Sequence, residues 1–385
     1  MEPYIICFAF TLAWAWINEK LLEKNVYNAL TWMSAGLVIL LPAMLAGFRD
    51  YNVGTDVYVY AKPTLDTVIK LGWEGVTTTK VYETKGIEYG FKILAYVSSQ
   101  FSSSLHFFLF IISFLISSLV YFALYNLRTS CSIFMGELVY LFACYNETYN
   151  MMRQCLAMAF VLVAVCYILK KKYGMGMLFV AFGYAFHVTA IIALPILIII
   201  YFMDKKIESK ELLRFKYSLK WILLAFLLIG LVLFFKDVFI LFVNKGILPA
   251  RYDSYIQNAK GMLFAWNDFI KYVFPYVFLF LCKKNINYCD GFLAMALCDV
   301  MFYQLRTQVE WFYRVSSYFF YIRILSFSYI KLNTEYLCRN KRLSINNLCA
   351  FLLIIYLVYW WYIYSISSNM NETYPYTSVL LDVYF

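Results

Sequence analysis

The stretch KKKYGMGMLFVAFGYAFHVTAIIALPILIIIYFMDKK, Lys170 to Lys206, decides the fold. An apolar block of about 30 residues lies between two basic clusters, Lys170–Lys172 and the run from Lys205 to Lys220, and short basic connections stay on the cytoplasmic side of a membrane. One straight helix cannot return to its own side. The block therefore predicts a short helical hairpin over residues 174–203, two tilted crossings or a re-entrant pair, that turns near His187 and places His187 toward the outer face.

Composition extends this reading to the whole chain. Of 385 residues, 63% are hydrophobic and 15% charged, and mean hydropathy is +0.67. Soluble chains are roughly half apolar and a quarter charged, so the excess apolar surface calls for lipid. Hydrophobic stretches fall at residues 3–17, 30–47, 105–125, 132–145, 152–169, 175–187, 189–203, 219–235, 269–282, 292–305, 315–330 and 348–366. They predict an all-α polytopic integral membrane protein of about 12 transmembrane helices, several of them short, forming one transmembrane domain over residues 1–385. No removable signal peptide is expected, because MEPYIICFAF has neither a basic start nor a small-residue cleavage site. Lys283, Lys284, Lys331, Arg339, Lys341 and Arg342 join the cytoplasmic clusters, so both termini face outward. Cytoplasmic Lys and Arg also account for the net charge of +10 without nucleic acid. The ten cysteines form no CxxC pair and read as small core hydrophobes.

The outward connections are uneven. Two are long, residues 48–104 and 236–268, and long loops over a rigid scaffold often carry function. Within the first, Thr64 to Leu71 and Glu88 to Ser99 show helical spacing and predict short interfacial helices. Soluble-enzyme signatures are absent: no GxxxxGK(S/T), no GxGxxG, no HExxH, no DxD pair in the outward loops, and only two histidines, His106 and His187. A histidine-rich metal site is excluded on this ground, a nucleotide-driven pump is disfavoured, and no metal or cofactor is expected.

Four constellations remain. GFRDYNVGTDVYVY, Gly47 to Tyr60, offers Arg49 as a fork of donors for phosphate and Asp56 as a proton acceptor; its plain structural alternative is an Arg49–Asp56 ion pair. YNETYNMMRQCLAMAF places Asn146, Asn150 and Arg153 on one helical face if the helix begins that early, with Glu147 or Glu137 as structural partners for Arg153. AFHVTAIIALP carries His187, read as a core histidine or as a general base. RTQVEWFYRVSSYFFYIR aligns Arg306, Glu310 and Arg314 as a helix stripe followed by a snorkelling Arg323; alternatively Arg314 joins Arg49 and Arg153 in a basic pocket for an anionic lipid headgroup.

In their order, FRDYNVGTD, MRQCLAMAF, AFHVTAIIALP, EWFYRVSSYFF and the terminal YPY resemble the EpsG-like polysaccharide polymerases, which group with the Wzy-type oligosaccharide repeat-unit polymerases. The resemblance runs from Arg49 to Tyr376. It implies a membrane glycosyltransferase of GT-C-like architecture in a bacterial cytoplasmic membrane, with its active site facing outward. The substrate it implies is an oligosaccharide on undecaprenyl diphosphate, polymerised without nucleotide sugar into capsule, exopolysaccharide or O-antigen. A flippase and a chain-length regulator are the expected partners beside membrane lipid. On that footing Arg49, Arg153 and Arg314 are expected to hold the diphosphate. Asp56 and His187, then Glu88, are the candidate bases, and Tyr60, Trp311, Tyr318 and Tyr376 the candidate sugar-stacking residues. A lipid-linked oligosaccharide transporter and an O-antigen ligase are the competing classes.

Overall fold

A computed structural model describes residues 1–78, 81, 84–204, 210–245, 265–282, 289–309, 312–332 and 345–384. Among the described residues regular structure is helical, with one isolated bridge between Ser378 and Val383. The α-helices are α1 Glu2–Glu23, α2 Ala29–Phe48, α3 Lys62–Leu71, α4 Trp73–Thr77, α5 Tyr89–Phe101, α6 Leu105–Asn126, α7 Ile133–Val139, α8 Met152–Leu169, α9 Tyr173–Phe186, α10 Ala193–Asp204, α11 Lys210–Asn244, α12 Trp266–Leu281, α13 Cys289–Gln304, α14 Tyr313–Tyr321, α15 Arg323–Ser328 and α16 Ile345–Trp361.

Each of the hydrophobic stretches predicted from sequence is helical over most of its length. By length and composition, six described helices are able to cross a membrane: α1, α2, α6, α8, α11 from Lys220, and α16 extended to Ser367. Shorter apolar helices cover Ile133–Cys144, Tyr173–Phe186, Val188–Met203 and Phe269–Leu281. The remaining two stretches are not among these apolar spans. α13 carries Asp299 inside its apolar run, and residues 315–330 divide at Ile322 into α14 and α15. α11 continues to Asn244, through the first part of the 236–268 connection, whose residues 246–264 lie outside the described ones.

Contacts divide the chain into two compact units, Met1–Ile191 with Phe327–Phe385, and Ile192–Ser326. In the first, α1, α2, α6 and α8 pack in sequence and α9 lies on α8. α8 is the most enclosed of the spanning helices, with 83% of its span buried. Local chemistry sets the boundaries. Asn28 caps α2 by accepting from the Thr31 N–H at 3.1 Å. Ser132 caps α7 in the same way at 3.2 Å, and Glu19 accepts from the Ser132 hydroxyl and the Phe134 N–H at 2.7 and 2.8 Å, tying α1 to that turn. Asn18 donates to the Thr31 carbonyl and Ser34 and accepts from Tyr121, which joins α1, α2 and α6 through satisfied polar groups. The nine described cysteines are all buried, and none of them is joined in a disulfide among the described residues.

Between α8 and α10 the helix stops at Phe186. His187 is extended, at φ −157° and ψ 125°, and a 3-10 turn over Val188–Ile192 follows. The break expected near His187 is therefore present. Within the connection 48–104, the helices expected over 64–71 and 88–99 occupy Lys62–Leu71 and Tyr89–Phe101.

Candidate functional site

Five residues singled out in the sequence converge in the first unit: Asp56, Tyr60, Glu88, Arg153 and His187. Three breaks in regular helix bring them together. A π-helical turn over Val57–Ala61 follows Asp56 and carries Tyr60. Glu88 precedes α5, and Arg153 stands in the first turn of α8. Cations are disfavoured at a helix N-terminus, where the helix dipole is positive, so Arg153 needs an anion close by.

That anion is Glu88. Arg153 Nη1 pairs with Glu88 Oε2, and both side chains are mostly enclosed, at 18% and 17% exposure. The structural partners expected for Arg153, Glu147 and Glu137, are replaced by a residue 65 positions away. Glu88 Oε1 accepts from the Val188 N–H at 3.3 Å, so one carboxylate holds α8 and the turn after His187 together. The guanidinium also lies 4.5 Å from the Tyr60 ring centroid. Tyr60 donates to the Asn150 carbonyl at 3.1 Å. Burial pushes the Tyr60 phenol well above its ordinary pKa; the nearby Asp56 charge adds to the rise and Arg153 opposes it.

Two buried polar atoms at this place have no hydrogen-bond partner, Arg153 Nε and Asn150 Oδ1. Buried polar groups are normally satisfied by protein or water, so both atoms stand open to a further partner. His187 Nδ1 lies 2.6 Å from Thr189 Oγ1 and 3.3 Å from the Thr189 N–H. The amide can only donate, which makes Nδ1 the acceptor and assigns the proton of the neutral ring to Nε2.

Glycine permits the convergence at two positions. A Cβ on Gly90 would stand 2.5 Å from the Ala185 carbonyl, so α5 reaches the end of α9 only because residue 90 has none. Gly54 has φ +93° and a Cβ there would lie 2.8 Å from the Tyr149 carbonyl.

Arg49 is placed differently from expectation. It is 2% exposed, donating from Nε to the Val53 carbonyl at 3.0 Å and from Nη1 to the Ala46 carbonyl at 2.6 Å, with its guanidinium 4.1 Å from the Tyr149 ring centroid. Burial lowers its pKa, and Tyr149, Tyr145, Tyr4 and Tyr376 oppose that drop. The Arg49–Asp56 ion pair of the structural alternative does not form, because backbone carbonyls and tyrosine rings take the guanidinium. Those same contacts enclose it.

Other expectations are corrected as well. Asn146, Asn150 and Arg153 do not share a helical face, since α8 begins at Met152 and Asn146–Tyr149 is a 3-10 turn. Asn146 instead donates to Thr373 Oγ1 at 2.8 Å and accepts from Trp361 at 3.0 Å, while Asn150 donates to the Asn371 carbonyl at 2.5 Å. Among the candidate sugar-stacking residues, Tyr60, Tyr318 and Tyr376 are 5%, 1% and 0% exposed and pack in the protein interior. Tyr376 donates to the Leu45 carbonyl at 2.8 Å. Trp311 and Glu310 lie outside the described residues.

The second unit holds Arg314, whose Nε donates to the Tyr313 hydroxyl at 3.1 Å. Arg306 and Arg314 do not form one helical stripe, because α13 ends at Gln304, a 3-10 turn carries Arg306, and α14 begins at Tyr313. Arg323 does not snorkel. Its Nη2 lies 2.5 Å and its Nε 2.9 Å from Asp299 Oδ2, and Tyr276 donates to the same oxygen at 2.6 Å. The Arg323 and Asp299 side chains are 2% and 0% exposed. Sequence reasoning missed this network; its signal was the lone acid at position 299 inside an apolar run.

These features define a multi-pass helical membrane protein with a charged, partly unsatisfied cluster at the start of its most enclosed helix. The chain belongs to the EpsG family, whose profile matches residues 32–378. Membership makes it, at family level, a membrane polysaccharide polymerase acting on a lipid-linked sugar. Neither a curated protein nor a solved structure matches it at a significant level.

Proposed function

We propose that this chain polymerises oligosaccharide repeat units carried on undecaprenyl diphosphate, by metal-independent glycosyl transfer on the outer side of a bacterial cytoplasmic membrane. The observation that carries the reading is Arg153: a mostly enclosed guanidinium at the N-terminus of α8, shared with one carboxylate and still holding an unfilled Nε donor. A helix N-terminus and a bidentate guanidinium both favour phosphate oxygens.

In the proposed step the diphosphate of the growing chain docks on Arg153 and takes its donors from Glu88. The acceptor hydroxyl of the next repeat attacks the anomeric carbon, and the bond from that carbon to the phosphate oxygen breaks. Undecaprenyl diphosphate leaves with the electron pair, stabilised by Arg153. The hydroxyl proton passes to the carboxylate that Arg153 has released, which assigns the base to Glu88, with Asp56 behind Tyr60 as the second carboxylate and His187 Nε2–H as a donor to substrate oxygen. Arg49 positions the loop from below, and Arg314 remains a candidate diphosphate ligand.

The test is the length profile of surface and lipid-linked glycan in cells lacking the gene, complemented with wild type, Arg153→Ala, Arg153→Lys or Glu88→Gln. Each variant is expected to reduce polymer about a hundredfold or more, leaving single repeats on an outward-facing carrier. Wild-type ladders in all three would sink the assignment. Repeats trapped on the inner face would make the protein a transporter, and finished chains left on the lipid carrier would make it a ligase.

A further inference from the structure

The π-helical turn over Val57–Ala61 has two sides. One carries Tyr60 under the Arg153 guanidinium; the other carries Tyr58, which is 55% exposed. Tyr58 borders an open groove of about 440 Å³ along α3, shared with Lys62, Asp66, Thr67 and Lys70, within the roughly 300–1,000 Å³ of small-ligand sites. α3 buries Thr64, Leu65, Thr67 and Val68 against the unit and turns Asp66 and Lys70 outward, with Lys62 half-buried. Lys62 pairs with Asp66 at 2.5 Å, and its ammonium is held high in pKa by that partner while lying within electrostatic reach of Tyr51 and Tyr58. Lys70 has no hydrogen bond or ion pair among the described residues.

The lining has a definite chemical preference. An exposed aromatic ring suits the C–H face of a sugar. Sugar hydroxyls need both donors and acceptors, and the groove supplies donors from Lys62, Lys70 and Tyr58 and an acceptor from Asp66. Two lysines against one aspartate leave a positive excess at the unpaired Lys70.

We propose that this groove binds the saccharide part of the lipid-linked glycan, with a preference for an acidic sugar at Lys70, while the diphosphate end lies at Arg153. The proposal rests on the function given above and names a glycan subsite for it. The turn 57–61 would couple the two, since Tyr58 and Tyr60 stand on one five-residue element.

The full chain in nanodiscs is titrated with a hexuronate-containing tetrasaccharide and, separately, with its carboxyl-reduced counterpart. Wild type is expected to bind the acidic probe at least tenfold more tightly than the reduced one. Tyr58→Ala should weaken both probes about tenfold, and Lys70→Glu should abolish the difference between them. These positions are exposed, so unchanged melting temperatures serve as the folding control. Equal affinity of wild type and both variants for the acidic probe would overturn the subsite. Displacement of the probe by glycerol phosphate at equal concentration would assign the groove to a lipid headgroup and overturn it too. In cells, Tyr58→Ala should shorten the modal chain length. Loss or retention of polymer in the gene deletion tests the polymerase reading alone and probe affinity tests the groove alone, so either can fail without the other.

Discussion

Arg49 and Arg153 both sit at the end of a long apolar helix, and their surroundings separate their roles. Arg49 satisfies two carbonyls and covers a tyrosine ring from a fully enclosed position. Replacing it strands those carbonyls, which costs about 1–3 kcal/mol for each buried group left unmade. Arg49→Ala and Arg49→Lys should therefore both lower the melting temperature in detergent, because an ammonium cannot span the two carbonyls as the planar fork does. A wild-type melt in Arg49→Lys would show that charge alone suffices. The pair Arg323–Asp299 makes a similar point in the second unit. Removing one partner leaves a buried charge uncompensated, at about 3–5 kcal/mol, whereas Arg323→Met with Asp299→Leu should recover most of the loss. Thermal unfolding of the two singles and the double decides it; a double variant as unstable as the singles would refute the pairing as the source of the loss. Arg153 was visible as a residue that must find a partner in an apolar setting, Arg49 as a phosphate fork or a partner of Asp56, and Arg323 only as a snorkelling cation. Which partner each took was not visible, because carbonyls, Glu88 and Asp299 compete on distance, and distance is set by the fold.

Helix boundaries were legible wherever a local group stops a helix. The break at His187 follows from two basic flanks around one apolar block, and the short helices in the 48–104 connection follow from their periodicity. The start of α8 was misplaced because Asn146 and Asn150, which fit a helical face by spacing, are drawn off by Trp361, Thr373 and Asn371. Tertiary hydrogen bonds outweighed a few tenths of a kcal/mol of helix pairing. The approach of α5 to α9 is governed by Gly90, so Gly90→Val should push α5 off the Ala185 carbonyl and withdraw Glu88 from Val188 and Arg153. Polymer should fall as far as in Glu88→Gln although no reacting group is changed. Normal polymer with Gly90→Val would show that this contact does not position the site.

At the scale of the molecule, the last residues lace back onto the loop after α2. Asp50 N–H donates to the Thr377 carbonyl at 2.9 Å, Gly54 N–H to the Glu372 carbonyl at 3.0 Å, and Ser378 Oγ to the Phe48 carbonyl at 2.5 Å. Tyr4 donates to the Thr373 carbonyl at 2.8 Å, so the first helix joins the same knot. Deleting residues 369–385 removes all of these partners from buried backbone. It should lower the melting temperature and abolish polymer together, as fluorescence size-exclusion after heating and glycan profiling would report. A truncated chain that melts and polymerises as wild type would show the lacing to be dispensable. The sequence by itself determined that the chain is a membrane protein of many helices, where several of them break, and which residues carry charge into apolar surroundings. Hydropathy, punctuation and charge act over one or two helical turns and survive in any fold. Only the tertiary structure decided that Arg153 shares Glu88, that Arg49 is enclosed, that Tyr376 is core, and that Tyr58 rather than Tyr60 faces outward. Those outcomes depend on segments tens to hundreds of residues apart competing for the same few ångströms, and no local pattern encodes the winner.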